Sequence, residues 1–472
     1  MRRSRGGTLT GVVFSLAMAM ALPAIAEADT FRVAQRGDPP PGDCVPGDCS
    51  LREAVIRANA IAGPDRIVLP SRKVHQLSIA GDGPNDGDLD VTGDPLRIVH
   101  PGKGRAVIDF NIEGDANQDP FDRIFEVDVG ATLTLEKLVI RDGGDPTGSP
   151  RGGGIRALGD LTLIRTVVRG NETTDLGGGI SVEAGADLTL RRSQVTGNTS
   201  TGNAGAGFSV IGAGAFTVTR SSISGNRGTD SSSDGGAIYA GSAGDSRITR
   251  STISGNSALD EGGAIYADTG RVRIVGSTLS KNRAGGAGGA IRNDGNDLTM
   301  VNSTVANNRS DSNGGGIFLY PTSTNSLNAV TIVRNLANAD GIGTETGGGL
   351  HSGTFVGTSP TQVRNSLIAL NEFREDGGGA PVPNDCAGTN PFDSLGHNLL
   401  STKSLCDGFD GPRDLVRKKP RIGRLKRNGG PTKTVALKQG SPAIGKADAS
   451  SPDRDQRGRK RDNDPDSGAY ER

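Results

Sequence analysis

The stretch that decides the fold is residues 235–282, GGAIYAGSAGDSRITRSTISGNSALDEGGAIYADTGRVRIVGSTLSKN. Two signals occur twice in it: a Gly-rich tetrapeptide that ends in an apolar residue, and an apolar residue three positions before an Asn. Short runs of alternating apolar and polar residues lie between these signals in neighbouring units, such as FTVTR at 216–220. Because a period of two is typical of strands, each unit is predicted as strand, turn, strand, turn.

The Gly-rich signal recurs along the chain at intervals of 25 to 33 residues, and the Asn signal falls once in each interval. The Gly-rich tetrapeptide stands at 152–155, 177–180, 205–208, 235–238, 262–265, 288–291, 314–317 and 347–350. The second signal is formed by Val168/Asn171, Val195/Asn198, Ile223/Asn226, Ile253/Asn256, Leu279/Asn282, Val305/Asn308, Ile332/Asn335 and Ile368/Asn371. One such unit cannot bury its apolar side alone, but stacked units close a continuous core.

Unit length selects one repeat architecture among several. A propeller blade needs about 40 residues, and a leucine-rich repeat needs a Leu-rich helical side that is missing here. The sequence therefore predicts an all-β fold, a single-stranded right-handed parallel β-helix (a solenoid). In this fold the repeated Gly and Asn residues have structural explanations. The Gly pairs allow close approach of coils, and the Asn residues are expected in the left-handed conformation at turns, with their amides bonded to each other and to backbone.

Composition excludes several other classes of protein. Gly accounts for 73 of 472 residues, aromatics for 3%, and Trp is absent, which argues against a large aromatic core. Lys plus Arg and Asp plus Glu are equal at 53 each. This balance gives no reason to expect nucleic acid or an anionic membrane as a partner.

The first 26 residues have the pattern of a signal peptide. Arg2, Arg3 and Arg5 precede an apolar run, and the segment ends in Ala24-Ile25-Ala26. We expect cleavage near Ala26 and a secreted, extracellular protein whose mature chain has no membrane span.

Four cysteines remain in the mature chain, namely Cys44, Cys49, Cys386 and Cys406. An even number in an oxidising compartment indicates disulfides, and the local pairs 44–49 and 386–406 are favoured among three connectivities. A four-cysteine metal site is the alternative, but neither pair has C-x₂-C spacing.

Both ends of a solenoid must be capped, and the N-terminal segment CSLREAVIRAN at 49–59 fits this task. Ser50 and Glu53 form a predicted capping box, and one helix face carries apolar residues. Those residues are Leu51, Ala54, Val55 and Ala58. The segment, with GDLDVTGDPLRI at 87–98 after it, resembles the N-terminal domain of secreted bacterial CSLREA-domain proteins.

The C-terminal part resembles a second module, the choice-of-anchor Q domain. The matching segments are NDCAG (384–388), SLGHNLL (394–400), NGGPTKTVALKQGSPAIGKAD (428–448), DQRG (455–458) and SGAYER (467–472). The resemblance implies an export route and a fold, without an established catalytic activity. The predicted organisation is a signal peptide (1–26), a CSLREA-type cap with the first coils (27–145), β-helix repeats (146–372) and a C-terminal capping module (373–472).

Candidate binding residues follow from the residue after each Gly-rich tetrapeptide, which is expected to point outward. Its occupants along the chain are Arg156, Ser181, Ser209, Tyr239, Tyr266, Arg292, Phe318 and His351. This column contains no carboxylate, and its aromatic, Arg and His members suggest a contact surface for a glycan or a protein. The competing explanation is that the stacked rings only stabilise the sheet.

Acidic residues are scattered in the loops, with one exception. Asp260 and Glu261, together with Asp234 one coil earlier, form the cluster that we would test as a base or a calcium site. No clear motif supports Ca²⁺: GDGPNDGDLD at 81–90 lacks the EF-hand spacing, and His75, His100, His351 and His397 are too scattered for a metal set. No cofactor and no catalytic residue are predicted.

Two functions remain open at this stage. The first is a non-enzymatic, monomeric rod for adhesion or extracellular interaction, a hypothesis supported by short motifs that are similar to those in the passenger regions of polymorphic outer-membrane adhesins. The second is a polysaccharide-active enzyme of the lyase, glycosidase or epimerase kind, since many β-helix proteins have such activities. Outward carboxylates that converge from adjacent coils would favour the second.

Overall fold

A computed structural model of the protein describes residues 28–70, 73–79, 86–110, 122–144, 151–295, 297–320, 324–354, 360–403 and 405–472. The predicted signal peptide, residues 1–26, lies outside the described residues. Within the described part of the chain, no helix has the length and apolar character that crossing a bilayer demands.

The N-terminal cap is helix α1, Leu51–Asn59, as the sequence predicts. Ser50 Oγ accepts from Glu53 N at 3.2 Å, and Ser50 N donates to Glu53 Oε2 at 2.7 Å, which completes the capping box. The four predicted apolar residues of the helix are buried, and the helix packs against strands Asp65–Val68 and Leu89–Val91. The helix therefore covers the open end of the first coils.

The rest of the chain winds into a parallel β-helix whose coils contribute short strands to four sheets, here called sheets I to IV in the order in which the repeated coils visit them. Sheet I consists of Leu89–Val91, Phe125–Val127, Ile155–Ala157, Ile180–Val182, Phe208–Val210, Ile238–Ala240, Ile265–Ala267, Ile291–Asn293, Ile317–Leu319, Leu350–Ser352 and Cys386–Gly388. Eight of these eleven strands begin at the apolar residue of a Gly-rich tetrapeptide, and all eleven pair in parallel.

Sheets II and III run beside sheet I over the same coils. Sheet II consists of Thr30–Arg32, Asp65–Val68, Leu96–Val99, Thr132–Glu136, Asp160–Ile164, Leu188–Arg191, Phe216–Thr219, Ala243–Thr249, Gly270–Val275, Asp297–Val301, Ser326–Asn328, Gln362–Arg364 and Asp393–Gly396. Sheet III consists of Val74–Leu77, Ala106–Phe110, Leu138–Arg141, Val167–Arg169, Gln194–Thr196, Ser222–Ser224, Thr252–Ser254, Thr278–Ser280, Thr304–Ala306, Thr331–Val333, Leu367–Ala369 and Leu399–Leu400.

Sheet IV is made of two-residue strands and starts later in the chain. Its strands are Glu172–Thr173, Thr199–Ser200, Arg227–Gly228, Ser257–Ala258, Arg283–Ala284, Arg309–Ser310, Leu336–Ala337, Glu372–Phe373 and Val382–Pro383, the last of them antiparallel. The prediction of two strands per unit is therefore wrong, since a typical coil has four. Two-residue strands are too short to show the alternation on which the prediction depended.

The core is a stack of thin layers, and each coil adds small aliphatic side chains from sheets I, II and III. In one coil these are Ile155, Leu161 and Val168, which are fully buried. Alternate residues of each strand point inward, and neighbouring coils lie about 4.8 Å apart. This geometry explains why the chain needs so few aromatic residues.

The Asn column forms a continuous hydrogen-bonded ladder at the turn between sheets III and IV. In each step, the amide Nδ2 and the backbone N of one Asn both donate to Oδ1 of the next, as Asn198 does to Asn226 at 2.9 and 3.1 Å. The predicted amide stacking is thus confirmed, but the predicted left-handed backbone of the Asn is wrong. The residue before it takes that conformation, for example Gly225 with φ +66°.

The C-terminal part both completes the solenoid and folds back over it. Strands Cys386–Gly388, Asp393–Gly396 and Leu399–Leu400 extend sheets I to III, and the later chain forms an antiparallel pair, Ile422–Lys426 with Thr434–Leu437. A second apolar cluster joins that pair to the outer side of sheet III through residues such as Ala306, Val333 and Val435. The same sheets run from residue 30 to residue 400, and the predicted domain boundaries stay a prediction.

Both predicted disulfides are present, Cys44–Cys49 before helix α1 and Cys386–Cys406 in the last coil. The alternative of a four-cysteine metal site is therefore excluded.

Candidate functional site

The residues that follow the Gly-rich tetrapeptides form one column on the outer side of sheet I. The parallel register pairs Tyr239 with Tyr266, Tyr266 with Arg292, and Arg292 with Phe318. The complete outward column is Asp90, Glu126, Arg156, Ser181, Ser209, Tyr239, Tyr266, Arg292, Phe318, His351 and Ala387. Two carboxylates at its N-terminal end were thus missed, because their coils lack the Gly-rich tetrapeptide that defined the column.

Side chains of the central coils stack on one another along this column. The rings of Tyr239 and Tyr266 are parallel, with centroids 5.4 Å apart, and those of Phe318 and His351 are 5.0 Å apart. Arg292 lies between the two ring pairs in the register of sheet I, and its guanidinium carbon is 4.3 Å from the centroid of Phe318. Ring faces that contact each other stabilise the sheet and leave mainly ring edges for a ligand.

Burial differs along the column. Tyr239, Tyr266 and His351 are half-buried, whereas Arg292 and Phe318 are only 8% and 6% exposed. The burial of His351 lowers its pKa to about 4, so its imidazole is neutral at pH 7. The surface that a ligand can reach is therefore centred on the two tyrosines.

Arg292 connects the two edges of the site because it contacts a carboxylate on each side of the column. Its Nη1 lies 2.9 Å from Glu261 Oε1, and its Nε donates to Asp294 Oδ1. Tyr320 provides a second aromatic contact, with its ring centroid 4.6 Å from the guanidinium carbon. One guanidinium thus links two acidic side chains from neighbouring coils.

The acidic cluster predicted from the sequence lies along one edge of the column. Asp234 Oδ1 accepts from the backbone N of Glu261 at 3.0 Å. Burial raises the pKa of Asp234 to about 7, and the neighbouring Asp260 adds to the shift. Burial likewise raises the pKa of Glu261 to about 7 although Arg292 opposes the shift. Both carboxyl groups are therefore partly protonated near neutral pH, as a proton donor or acceptor requires.

A second row of polar residues, on the opposite edge of the column, was not predicted. Tyr266 Oη donates to Asp294 Oδ2 at 2.8 Å, and burial followed by the charge of Asp294 raises the pKa of Tyr266 above its usual value. Asp268, Asp294 and Tyr320 each stand two residues after a column member. The period of two that defines a strand face was the signal that could have found them.

The N-terminal end of the column is a network of ion pairs. Arg156 lies 3.3 Å from Glu126 and 3.2 Å from Glu183, and Arg151 lies 3.0 Å from Glu183. Burial raises the pKa of Glu183, but the bonds from Arg156 and Arg151 outweigh it and hold the pKa below its usual value. Arg156 is thus neutralised by acids of its own chain.

Metal binding has little geometric support. In the described residues, no three His, Cys, Asp or Glu side chains are arranged so that they could hold a metal ion together. Asp234 instead accepts from the backbone N of Glu261, and Glu261 pairs with Arg292.

The four sheets, whose strands are stacked coil by coil in parallel, define the class of protein by its fold: the chain is a right-handed parallel β-helix protein. Consistent with this, the family described as right handed beta helix region matches residues 153–368. A similar solved structure is the crystal structure of pectate lyase Pel9A, with 14% sequence identity, a TM-score of 0.48, and coverage of 94% of this chain and 97% of that chain. No curated protein sequence matches the chain.

Proposed function

We propose that the protein is a secreted, non-enzymatic rod that binds an extracellular glycan through the outer side of sheet I. The observation that carries the proposal is the position of Tyr239 and Tyr266 between two rows of carboxylates. Sugar hydroxyls bond to carboxylates, and sugar C–H groups would contact the ring edges that the stack leaves accessible.

Stabilisation alone does not account for these carboxylates. Half-buried acids whose pKa values rise to about 7 favour unfolding once they ionise, and groups of this kind are concentrated at functional sites. The two disulfides are in keeping with an oxidising compartment, and the resemblance to CSLREA and choice-of-anchor Q modules favours export.

The test is a glycan array probed with the wild-type protein and with Tyr239→Ser/Tyr266→Ser. We expect the variant to lose at least tenfold in affinity for the bound glycan. Ile253→Val, a core substitution away from this face, serves as a control for lowered stability. Unchanged binding by the tyrosine variant, with a lower Tm, would reduce the stack to a structural role.

A polysaccharide-active enzyme is the second candidate, and one observation favours it. Glu261 and Asp294 approach Arg292 from opposite edges of the column, and Glu261 has a pKa suited to a general acid. Incubation with a polysaccharide panel, followed by detection of reducing ends and unsaturated products, tests it. Cleavage that Glu261→Gln abolishes while binding persists would replace the non-enzymatic proposal.

A further inference from the structure

A basic residue occupies the left-handed turn between sheets II and III in five consecutive coils. Lys137, Arg165, Arg192, Arg220 and Arg250 have φ values of +57°, +51°, +53°, +52° and +49°. This conformation is unfavourable for side chains with a Cβ, and Gly or Asn would meet its backbone requirement better. The fold therefore does not explain why these five positions are basic.

At the same turn position, the basic residues give way to neutral ones in the coils that the C-terminal segment covers. The next coils carry Gly276, Asn302, Ala329 and Asn365 at this turn. Asn302 Oδ1 accepts from Arg461 at 3.1 Å, and Asn365 Nδ2 donates to Asp448 at 3.0 Å. Small neutral residues thus stand where the chain docks on itself, while the four arginines of the preceding coils are exposed.

Four cavities join into one groove: the first two follow this turn, and the last two cross the outer side of sheet III to the turn between sheets III and IV, where Lys281 and Arg334 lie. Their volumes are about 430, 360, 830 and 460 Å³. The first and second share Arg192, the second and third share Lys433, and the third and fourth share Arg334. The groove extends from the coil of Ala106–Phe110 to that of Leu367–Ala369, ten strands of sheet III, which corresponds to about 43 Å.

The charged residues that line the groove are almost all positive, although the chain has equal numbers of acidic and basic residues. Fifteen of its lining residues are Lys or Arg, and Glu372 is the one acid among those described. The C-terminal segment contributes cations to the facing wall, including Arg424, Arg427 and Lys433. Burial, and then the charge of Arg424, lowers the pKa of Arg334, as expected for two cations that face each other without an anion.

We propose that this groove binds a linear acidic polysaccharide, a polyuronate with one carboxylate on each sugar. In the first half of the groove, Arg165, Arg192, Arg220 and Arg250 present one guanidinium per coil at steps of about 4.8 Å, close to the advance of one sugar unit in an extended chain. Arg pairs with carboxylates through two parallel hydrogen bonds. The described lining contains no aromatic residue, whereas proteins that hold single-stranded nucleic acid stack its bases on aromatic rings.

The test measures binding of the full chain to alginate oligomers by calorimetry, with carboxyl-esterified alginate as the uncharged ligand. Arg192→Gly/Arg220→Gly removes two charges and suits the left-handed backbone, so we expect unchanged or raised Tm and about tenfold weaker binding. Arg413→Gly/Arg417→Gly is the matched control, because both residues are exposed, have φ +57° and lie outside the groove. That control should change the affinity less than twofold.

Three results would overturn the proposal. They are equal binding of esterified and free alginate, equal losses in the two glycine variants, and tighter binding to a single-stranded DNA or to anionic vesicles than to alginate. Tyr239→Ser/Tyr266→Ser, on the other face, should leave alginate binding unchanged, so the outcome is independent of the function proposed for sheet I. Binding should also weaken steeply between low and high salt.

Discussion

Asn226 lies below Asn198 in the solenoid, and its Oδ1 accepts two hydrogen bonds from that residue, from Nδ2 at 2.9 Å and from the backbone N at 3.1 Å. Asn226 Nδ2 in turn donates to Val195 O and to Asn256 Oδ1. Each Asn is thus both a link in a chain of amides and a partner for buried backbone. The consequence is that one substitution leaves unsatisfied groups in two neighbouring coils.

Asn226→Ala should lower the free energy of unfolding by about 3 kcal/mol, since several buried donors and acceptors lose their partners at once. Denaturant unfolding measures the change. Asn463→Ala, at an exposed position near the C terminus, is the control and should change stability by less than about 0.5 kcal/mol. Equal effects of the two substitutions would mean that the ladder contributes no more than an ordinary surface contact.

Gln456 fastens the C-terminal segment to the solenoid. Its Nε2 donates to Ser277 O at 3.0 Å, and its Oε1 accepts from Thr304 Oγ1 at 2.6 Å. Gln456→Ala should therefore lower the free energy of local opening of residues 420–472 by about 2 kcal/mol while the coils stay folded. Relative to the wild-type protein, the variant should show faster hydrogen exchange in that segment and unchanged exchange in coils 151–250. Uniform acceleration along the chain would contradict a local role.

The disulfide Cys386–Cys406 closes a loop of about 20 residues in the last coil. Cys386→Ser/Cys406→Ser should lower the free energy of unfolding by about 3 kcal/mol, mainly because the unfolded chain gains freedom. Thermal unfolding with and without reductant checks this. The wild-type protein should lose more Tm on reduction than the double variant, which keeps only Cys44–Cys49 and its short loop.

Stability should depend on pH through Asp234 and Glu261. Folding raises both pKa values to about 7 from ordinary values near 4, so the folded state holds protons that the unfolded state has released. Stability from this pair is therefore fully present below about pH 4, falls as the pH rises towards 7, and is constant above. Glu261→Gln should make the Tm profile flatter between pH 5 and 7.5, and an unchanged profile would contradict the raised pKa of Glu261.

The sequence predicts the features that repeat. The spacing of 25 to 33 residues between the Gly-rich tetrapeptides predicts the solenoid. The residue after each tetrapeptide predicts the column from Arg156 to His351. The capping box of Ser50 and Glu53 and both disulfides also follow from local patterns. These predictions succeed because each rests on residues close in sequence or on a regular spacing.

Features without a period or a local partner could not be predicted. Arg52 is buried, with its Nε 2.8 Å from Asp38 Oδ1, but nothing in the helix pattern distinguishes it from a solvated Arg. The contact between Gln456 and Ser277 joins residues 179 positions apart. The acid–Arg–acid arrangement around Arg292 combines loop and strand residues from two neighbouring coils, and loops of unequal length obscure such alignments in the sequence.

The docked C-terminal segment also limits how this protein can change in length during evolution. The coils from Ile155 to Gly276 have strands in all four sheets, so duplicating or deleting a whole coil there would lengthen or shorten the rod by about 4.8 Å without disturbing its columns. From Gly276 to Asn365, successive coils hold different residues of the segment, including Thr432, Arg461 and Asp448. We therefore expect homologues to vary in coil number in the first half of the rod and to keep a constant number in the second half.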